Sequence, residues 1–595
     1  MNQPYRNTHV ELPPVQYSPT ETGQYDLYPA FPVDEPLLVG YASLAQRLAG
    51  EKRIIIEGYN GVLWEDFRQQ LDTELHKAGV NAAWCNAADA LLSGPEIEQK
   101  IAPYLGGDDP LFGKRYPGIL DDFFDKTHLK SLKPDNDAEV SIIYGCGASL
   151  AGWDGLLVYV DIPKNEIQYR ARAGSITCLG ASAPEHHKAM YKRFYFVEWI
   201  VFDRCKERLA SRIDVLVDGQ RPEAPVSAEG SVVREALDCM ARNYFRVRPW
   251  FEPGAWGGQW IKKTVPQLAQ DAPNYAWSFE LIVPENGIML SDGQALLELS
   301  FDFLMYREGK QVTGEAYARF GHEFPIRFDF LDTVAGGHLS VQCHPKPACI
   351  KDEYGETFAQ DESYYMLHAD PGASVYLGFQ DDIDPEKLRW ALTESAENGT
   401  ELAIEEFVQR HPAKRHDYFL IPYGVVHSSG VDGVVLEISS TPYIFTYKMY
   451  DWLRPDLDGK PRPLNIERAM HNLDFSCKGP KVQREYICSP YTIQTGDDWT
   501  LEHLETHRKH FYDIHRYTFS SRISRKTEGS CQIMNLVEGS CVMMETKNGM
   551  RQRFNFAETF VVPAAAGEYT LLNEGSTPAK VIVCFIKDDY SEFSG

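Results

Sequence analysis

Four polar residues fall at spacings that suit a single metal ion: Gln342 and His344 in HLSVQCHP, Glu362 at the head of ESYYMLH, and His427 at the end of DYFLIPYGVVH. Gln342 and His344 are two apart, so on a strand both side chains leave the same face. Two imidazoles, a carboxylate and an amide make a donor set of borderline softness, which fits zinc better than magnesium or calcium. Such a site keeps a coordination position open to a substrate oxygen, where a metal acts as a Lewis acid. Taken singly, each histidine reads as a satisfied core residue and Glu362 as a surface carboxylate. The four settings together favour the metal.

Strands must bring these residues to one point. From Trp256 the chain breaks into short alternating segments, among them WSFELIVP, LLELSFDFLMYREGK, FPIRFDFLD, SVYLGF and GVVLEISS, punctuated by Gly, Pro and Asp. That is the pattern of an antiparallel barrel or sandwich. The spacing of His416, Pro422, Gly424 and His427 follows the second metal motif of cupin barrels, except that His416 stands where glycine is usual. The Pro-Gly turn aims His427 inward. Residues 384–411 read as a helical insertion of two helices around an Asn-Gly turn, and residues 455–500 as a loop. Strands then resume as a second barrel, in which AETFVVPAAAGE puts Glu568 where a metal histidine would stand. No histidine follows His515, so the second barrel reads as metal-free.

The strings AWGGQW, FPIRFDFLD with LSVQCHP, ESYYMLHADPGASVYLGF, DYFLIPYGVVHSSG, LEIS and YKMYDWLR resemble class I mannose-6-phosphate isomerases. VEG and VVPAAAGEYTL resemble that family's second cupin, so the resemblance covers about residues 250–595. It implies one zinc ion on Gln342, His344, Glu362 and His427, with Ser340 near the substrate phosphate and Glu437 as an active-site glutamate. Lys448 stands where the family has an arginine, in a stretch one residue longer (SSTPYIFTYK), and Arg454 is the nearest other arginine. Lysine keeps the charge but lacks the planar fork of a guanidinium.

The implied reaction moves a proton between C1 and C2 of an open-chain phosphosugar through a cis-enediol. Glu437 would shuttle the proton and Lys448 would offset negative charge. Two other readings stay open: a non-catalytic sugar-phosphate sensor, favoured by Lys448, and a mononuclear-iron cupin oxygenase, which Gln342 as an extra ligand opposes. A related phosphosugar substrate is a further alternative.

The N-terminal part reads as α/β. ASLAQRLAG is a helix, Ile54 to Ile56 a strand, and a glycine turn leads into an amphipathic helix; VSIIYGCGASL and GLLVYVDIP add parallel strands. It resembles a P-loop kinase in degenerate form. IIIEGYNGVLWEDF has Gly58 and Gly61 in place, but Leu63, Trp64 and Glu65 stand where Gly, Lys and Ser/Thr belong. Arg170 and Arg172 read as a residual anion site or a solvated basic helix. The expected division is an extended arm over 1–40, an α/β domain over 41–240, a catalytic cupin over 241–460 and a metal-free cupin over 461–595.

A formal charge of −26 repels phosphate backbones and argues against a nucleic-acid partner. No leader pattern or membrane-length apolar run is read, so a cytoplasmic chain with no membrane partner is expected. The 12 cysteines have no CxxC and read as reduced thiols. Oligomeric state is not written in the sequence.

Overall fold

The computed structural model describes residues 5–587. They divide into two compact units, one of residues up to Pro19 with Tyr28–Met240 and Val283–Gly309, the other of Thr20–Leu27, Ala241–Ile282 and Lys310 onward.

In the first unit five parallel strands lie in the order Ala82–Asn86, Val140–Tyr144, Arg53–Gly58, Leu156–Asp161 and Val215–Asp218. Val226–Glu229 and Leu38–Val39 extend the sheet antiparallel. Every residue of Val140–Tyr144 is buried, as an apolar run covered on both faces requires. Sequence reading missed Ala82–Asn86, which has no β-branched residue, and Val215–Asp218, which is only four residues long.

The segment expected to be an extended arm is tied into this architecture. Arg6 is buried against Glu166 at 2.9 Å, and Ala30–Pro32 pairs in parallel with Gly287–Ser291. Residues 1–4 lie outside the described part. LLELSFDFLMYREGK, read as a barrel strand, divides into strand Leu296–Ser300, in the first unit, and helix Asp302–Thr313, which begins there and ends past that unit's boundary at Gly309. Asp302 in the first turn suits the positive end of the helix dipole, which a two-residue alternation does not reveal.

The second unit is mostly sheet. Six antiparallel strands run in the order Tyr418–Ile421, Glu362–Ala369, Gly433–Ser440, Ile326–Asp332, Trp277–Leu281 and Trp250–Glu252. Five more run Val408–Pro412, Ser374–Phe379, His427–Ser429, Val341–Cys343 and Tyr447–Tyr450. Tyr364, Met366 and Val435 of the first sheet share one apolar core with Val375 and Leu377 of the second. Ten further strands between Tyr491 and Ile586 form a second pair of antiparallel sheets.

The insertion at 384–411 holds one helix, Pro385–Asn398, capped by the Asp384 carboxylate and closed by Gly399 at φ 66°. The expected second helix is absent. Ile404–Glu406 makes one tight turn and Val408–Pro412 pairs with Ser374–Phe379 at the sheet edge, the position where a strand tolerates proline. The stretch 455–500, expected as loop, carries the helices Ile466–Asn472 and Pro480–Glu485.

Candidate metal centre

His344, Glu362 and His427 are fully buried and place their ligand atoms within 4.8 Å of one another. His344 Nε2 lies 3.0 Å from Glu362 Oε1, and His427 Nε2 lies 3.4 Å from Glu362 Oε2. The turn delivers His427: Gly424 at φ 81° donates its N–H to His344 O at 2.9 Å. A Cβ there would meet Asn472 O at 2.8 Å, so glycine is required by conformation and by space.

The hydrogen bonds of the imidazoles identify what their inner nitrogens could hold. His344 Nδ1 is 3.0 Å from Phe445 O, and His427 Nδ1 is 3.0 Å from Val425 O. Each Nδ1 therefore donates to a carbonyl, which leaves Nε2 as a lone pair in the neutral tautomer. Two lone pairs then face a carboxylate in a dry core, and only a cation between them makes the arrangement favourable. Burial opposes ionisation of Glu362, but with the imidazoles protonated in place of that cation, their charge and hydrogen bonds outweigh it and hold the carboxyl well below the usual range. Burial likewise lowers His427 toward the neutral form that ligates. The donor set thus fits a borderline divalent ion.

Gln342 stands beside this cluster, with Nε2 at 3.3 Å from His427 Nε2 and Oε1 accepting from Ser340 Oγ at 2.9 Å. A half-turn of the amide exchanges its oxygen and nitrogen and would turn the oxygen toward His427. Ser340 is buried, and in this structure it orients Gln342.

Register organises the surroundings. Gln342 is paired with His427 on one side and with Lys448 on the other, so the three side chains form a row on one face of the sheet. The opposed sheet presents Glu437, paired with Asp329 and Tyr364 and diagonal to Glu362. Burial, then Asp329 and Glu362, push the Glu437 carboxyl well above the usual range, against the pull of Arg327.

Two arginines escaped the sequence reading. Arg327 is buried, donates to Glu437, and bonds Asp329 Oδ1 at 3.0 Å. Its signal was present in FPIRFDFLD, where Arg327 and Asp329 alternate with apolar residues and so share the face of Glu437. Arg462 clasps Asp451 with Nε and Nη2, both at 2.6 Å, and lies in the Coulomb field of Lys448. No spacing rule reaches it, because it sits in an irregular stretch after the strand.

Lys448 makes no ion pair among the described residues. Arg454, by contrast, spends its donors on His338 O at 2.8 Å and Asp451 Oδ1 at 2.6 Å, and is a structural tie. His416, at the position where cupins favour glycine, adopts φ 76° and bonds Tyr365 and Glu538. It keeps the left-handed turn and takes no part in the cluster. Glu568 is half exposed and pairs with Lys526.

Comparisons with known proteins bear on both units. A family model described as a domain of unknown function, DUF8485, matches residues 40–242. The chain is 24% identical over 251 residues to the probable mannose-6-phosphate isomerase GmuF of Bacillus subtilis, covering 42% of this chain and 73% of the relative. It is 27% identical over 217 residues to the mannose-6-phosphate isomerase of Streptococcus mutans, covering 36% and 63%. With ManA of Bacillus subtilis it shares 22% over 329 residues, covering 54% and 94%. Among solved structures, the mannose 6-phosphate isomerase of Bacillus subtilis aligns with TM-score 0.48 at 18% identity, over 57% of this chain and 99% of that one.

Proposed function

We infer that the second unit is a zinc-dependent aldose-ketose isomerase that interconverts mannose 6-phosphate and fructose 6-phosphate. The observation that carries the reading is the His344, Glu362 and His427 cluster, whose lone pairs converge in a dry core with Gln342 beside them. The mannose-6-phosphate isomerases among its relatives support the substrate class.

One zinc ion on His344, Glu362, His427 and Gln342 would supply Lewis acidity toward the sugar carbonyl. The protein's own groups do the rest. Glu437 is the proton carrier between C1 and C2. Its raised affinity for protons suits a carboxyl that must both take and return one near neutrality. Arg327, clasped between Glu437 and Asp329, fixes the carboxylate that it touches. Lys448 and the free edge of Arg462 receive the phosphate or the developing oxyanion, and Asp451 orients that guanidinium. The pair restores between two residues the fork that lysine alone lacks. Burial of the site excludes bulk water from the enediol.

In this reading the catalytic part spans 241–460 and the metal-free cupin 461–595. The strands Gly287–Ser291 and Leu296–Ser300 within that first span belong structurally to the first unit.

The test is isotopic. In deuterium oxide, mannose 6-phosphate is expected to gain deuterium at C2, and fructose 6-phosphate at C1, only in the presence of zinc-loaded protein. Glu437→Gln should retain metal and lose the exchange. Exchange that proceeds normally in Glu437→Gln would remove the proton-carrier assignment, and no exchange in wild type would remove the isomerase reading.

A further inference from the structure

The first unit contains a cavity of about 700 Å³ that the isomerase reading does not use. It lies at the carboxyl ends of Arg53–Gly58, Ala82–Asn86 and Val140–Tyr144, walled by the segments that follow those strands and by residues 175–181. Arg53–Gly58 comes first in the chain but sits at the centre of the parallel sheet. The strands that follow fall first to one side of it and then to the other. That reversal is the place where open α/β sheets hold small ligands, and the volume is that of a ligand site.

Its chemistry is unlike that of a phosphate site. Among the described residues no lysine, arginine or histidine lines it. The nearby cations are spoken for: Arg170 is fully buried and donates to Gly61 O at 2.7 Å and Gly219 O at 3.0 Å, and Lys164 is held by Asp203 at 2.9 Å. The backbone N–H groups of Gly147 and Ser149, which an anion could have used, are taken by the Glu57 carboxylate at 2.8 and 2.9 Å. Arg170 is therefore neither an anion receptor nor solvated, contrary to both sequence readings. Arg172 lies over the Tyr169 ring.

What the cavity offers is an aromatic wall with neutral acceptors. Trp64 is half-buried on its surface, with Asn60, Asn86, Ser175 and Thr177 around it. Asn60 is 6% exposed, its amide nitrogen is fixed on Glu198 at 3.1 Å, and its carbonyl oxygen has no hydrogen-bond partner among the described residues. A buried acceptor left open calls for a donor. The two carboxylates, Glu65 and Asp66, stand at the exposed mouth, and Glu65 already pairs with Arg68. Charge is thus kept at the rim and the interior is neutral.

We propose that this cavity binds an unphosphorylated monosaccharide, a neutral ring with hydroxyl donors for the amides and an apolar face for the Trp64 indole. Phosphorylated sugars and nucleotides are turned away because no cation among the described residues lines the interior and Asp66 stands at the mouth.

The experiment is calorimetric titration of D-mannose into the full-length protein, into His344→Ala, and into Thr177→Arg, which places a bulky cation on an exposed part of the wall. Ala88→Arg, at another exposed position of the lining, serves if Thr177→Arg does not fold. One D-mannose is expected to bind wild type and His344→Ala alike, with affinity reduced at least about tenfold in either arginine variant, and with no binding of Mg-ATP. Absence of D-mannose binding to wild type would overturn the proposal. So would binding that survives both arginine variants but vanishes in His344→Ala, since it would belong to the metal centre. Mg-ATP binding abolished by Thr177→Arg would equally overturn it, in favour of a nucleotide site.

Discussion

At the scale of single residues, the site depends on cations whose charge is conditional. Burial, reinforced by Arg462, lowers the Lys448 ammonium to about 8. A lysine with a depressed value is charged below it and neutral above, so kcat/KM is expected to fall as pH rises above about 8. Lys448→Arg should remove that alkaline fall, because a guanidinium does not titrate there. A pH-rate profile on both proteins checks this, and identical profiles would sever Lys448 from turnover. Removing Arg462 takes away charge-assisted hydrogen bonds of about 1.5–3 kcal/mol, so Arg462→Met should raise KM for the phosphosugar by about 10- to 100-fold. The same change at Arg454 should act mainly on stability, since both of its terminal nitrogens already tie His338 O and Asp451.

At the scale of elements, the chemistry rests on one turn and on strand register. Gly424→Ala forces a left-handed residue and a contact with Asn472 O. It should destabilise the protein by about 1–2 kcal/mol or more in urea unfolding, with weaker zinc retention in dialysis. A variant as stable and as metal-tight as wild type would show that the turn does not set His427. The candidate ligand cluster was legible because ligand spacing on strands is local: Gln342 and His344 share a face by alternation, and the Pro-Gly turn marks His427. Arg327 was legible in principle but needed the pairing of Ile326–Asp332 with Gly433–Ser440 to acquire a partner. Arg462 was not, because its approach to Lys448 depends on how an irregular segment returns to the sheet. The single helix of the insertion and the strand Val408–Pro412 were misread for a related reason: an edge strand buries only Val408, too little alternation to mark it.

At the scale of the whole molecule, the second pair of sheets contributes by packing, not by ligands. Among the described residues the one His/Cys/Asp/Glu group able to hold a metal is His344, Glu362 and His427. Tyr512 of that second pair donates to Ile438 O at 2.9 Å and meets Ser363 at 3.1 Å, next in sequence to Glu437 and Glu362. Tyr512→Phe leaves a buried carbonyl without this donor and should cost about 1 kcal/mol or more in unfolding. The two-unit division was only partly legible, since residues 283–309 join the first unit through pairing with Ala30–Pro32, far away in sequence. The central claim concerns the second unit, and the most direct measurement of it is a coupled assay of fructose 6-phosphate formation from mannose 6-phosphate. It compares full-length protein that is zinc-loaded, chelated and reloaded with a folded His344→Ala variant. The account predicts turnover that chelation abolishes, zinc restores and His344→Ala lacks. Folded protein with stoichiometric zinc and no turnover, or turnover indifferent to both chelation and His344→Ala, would contradict it.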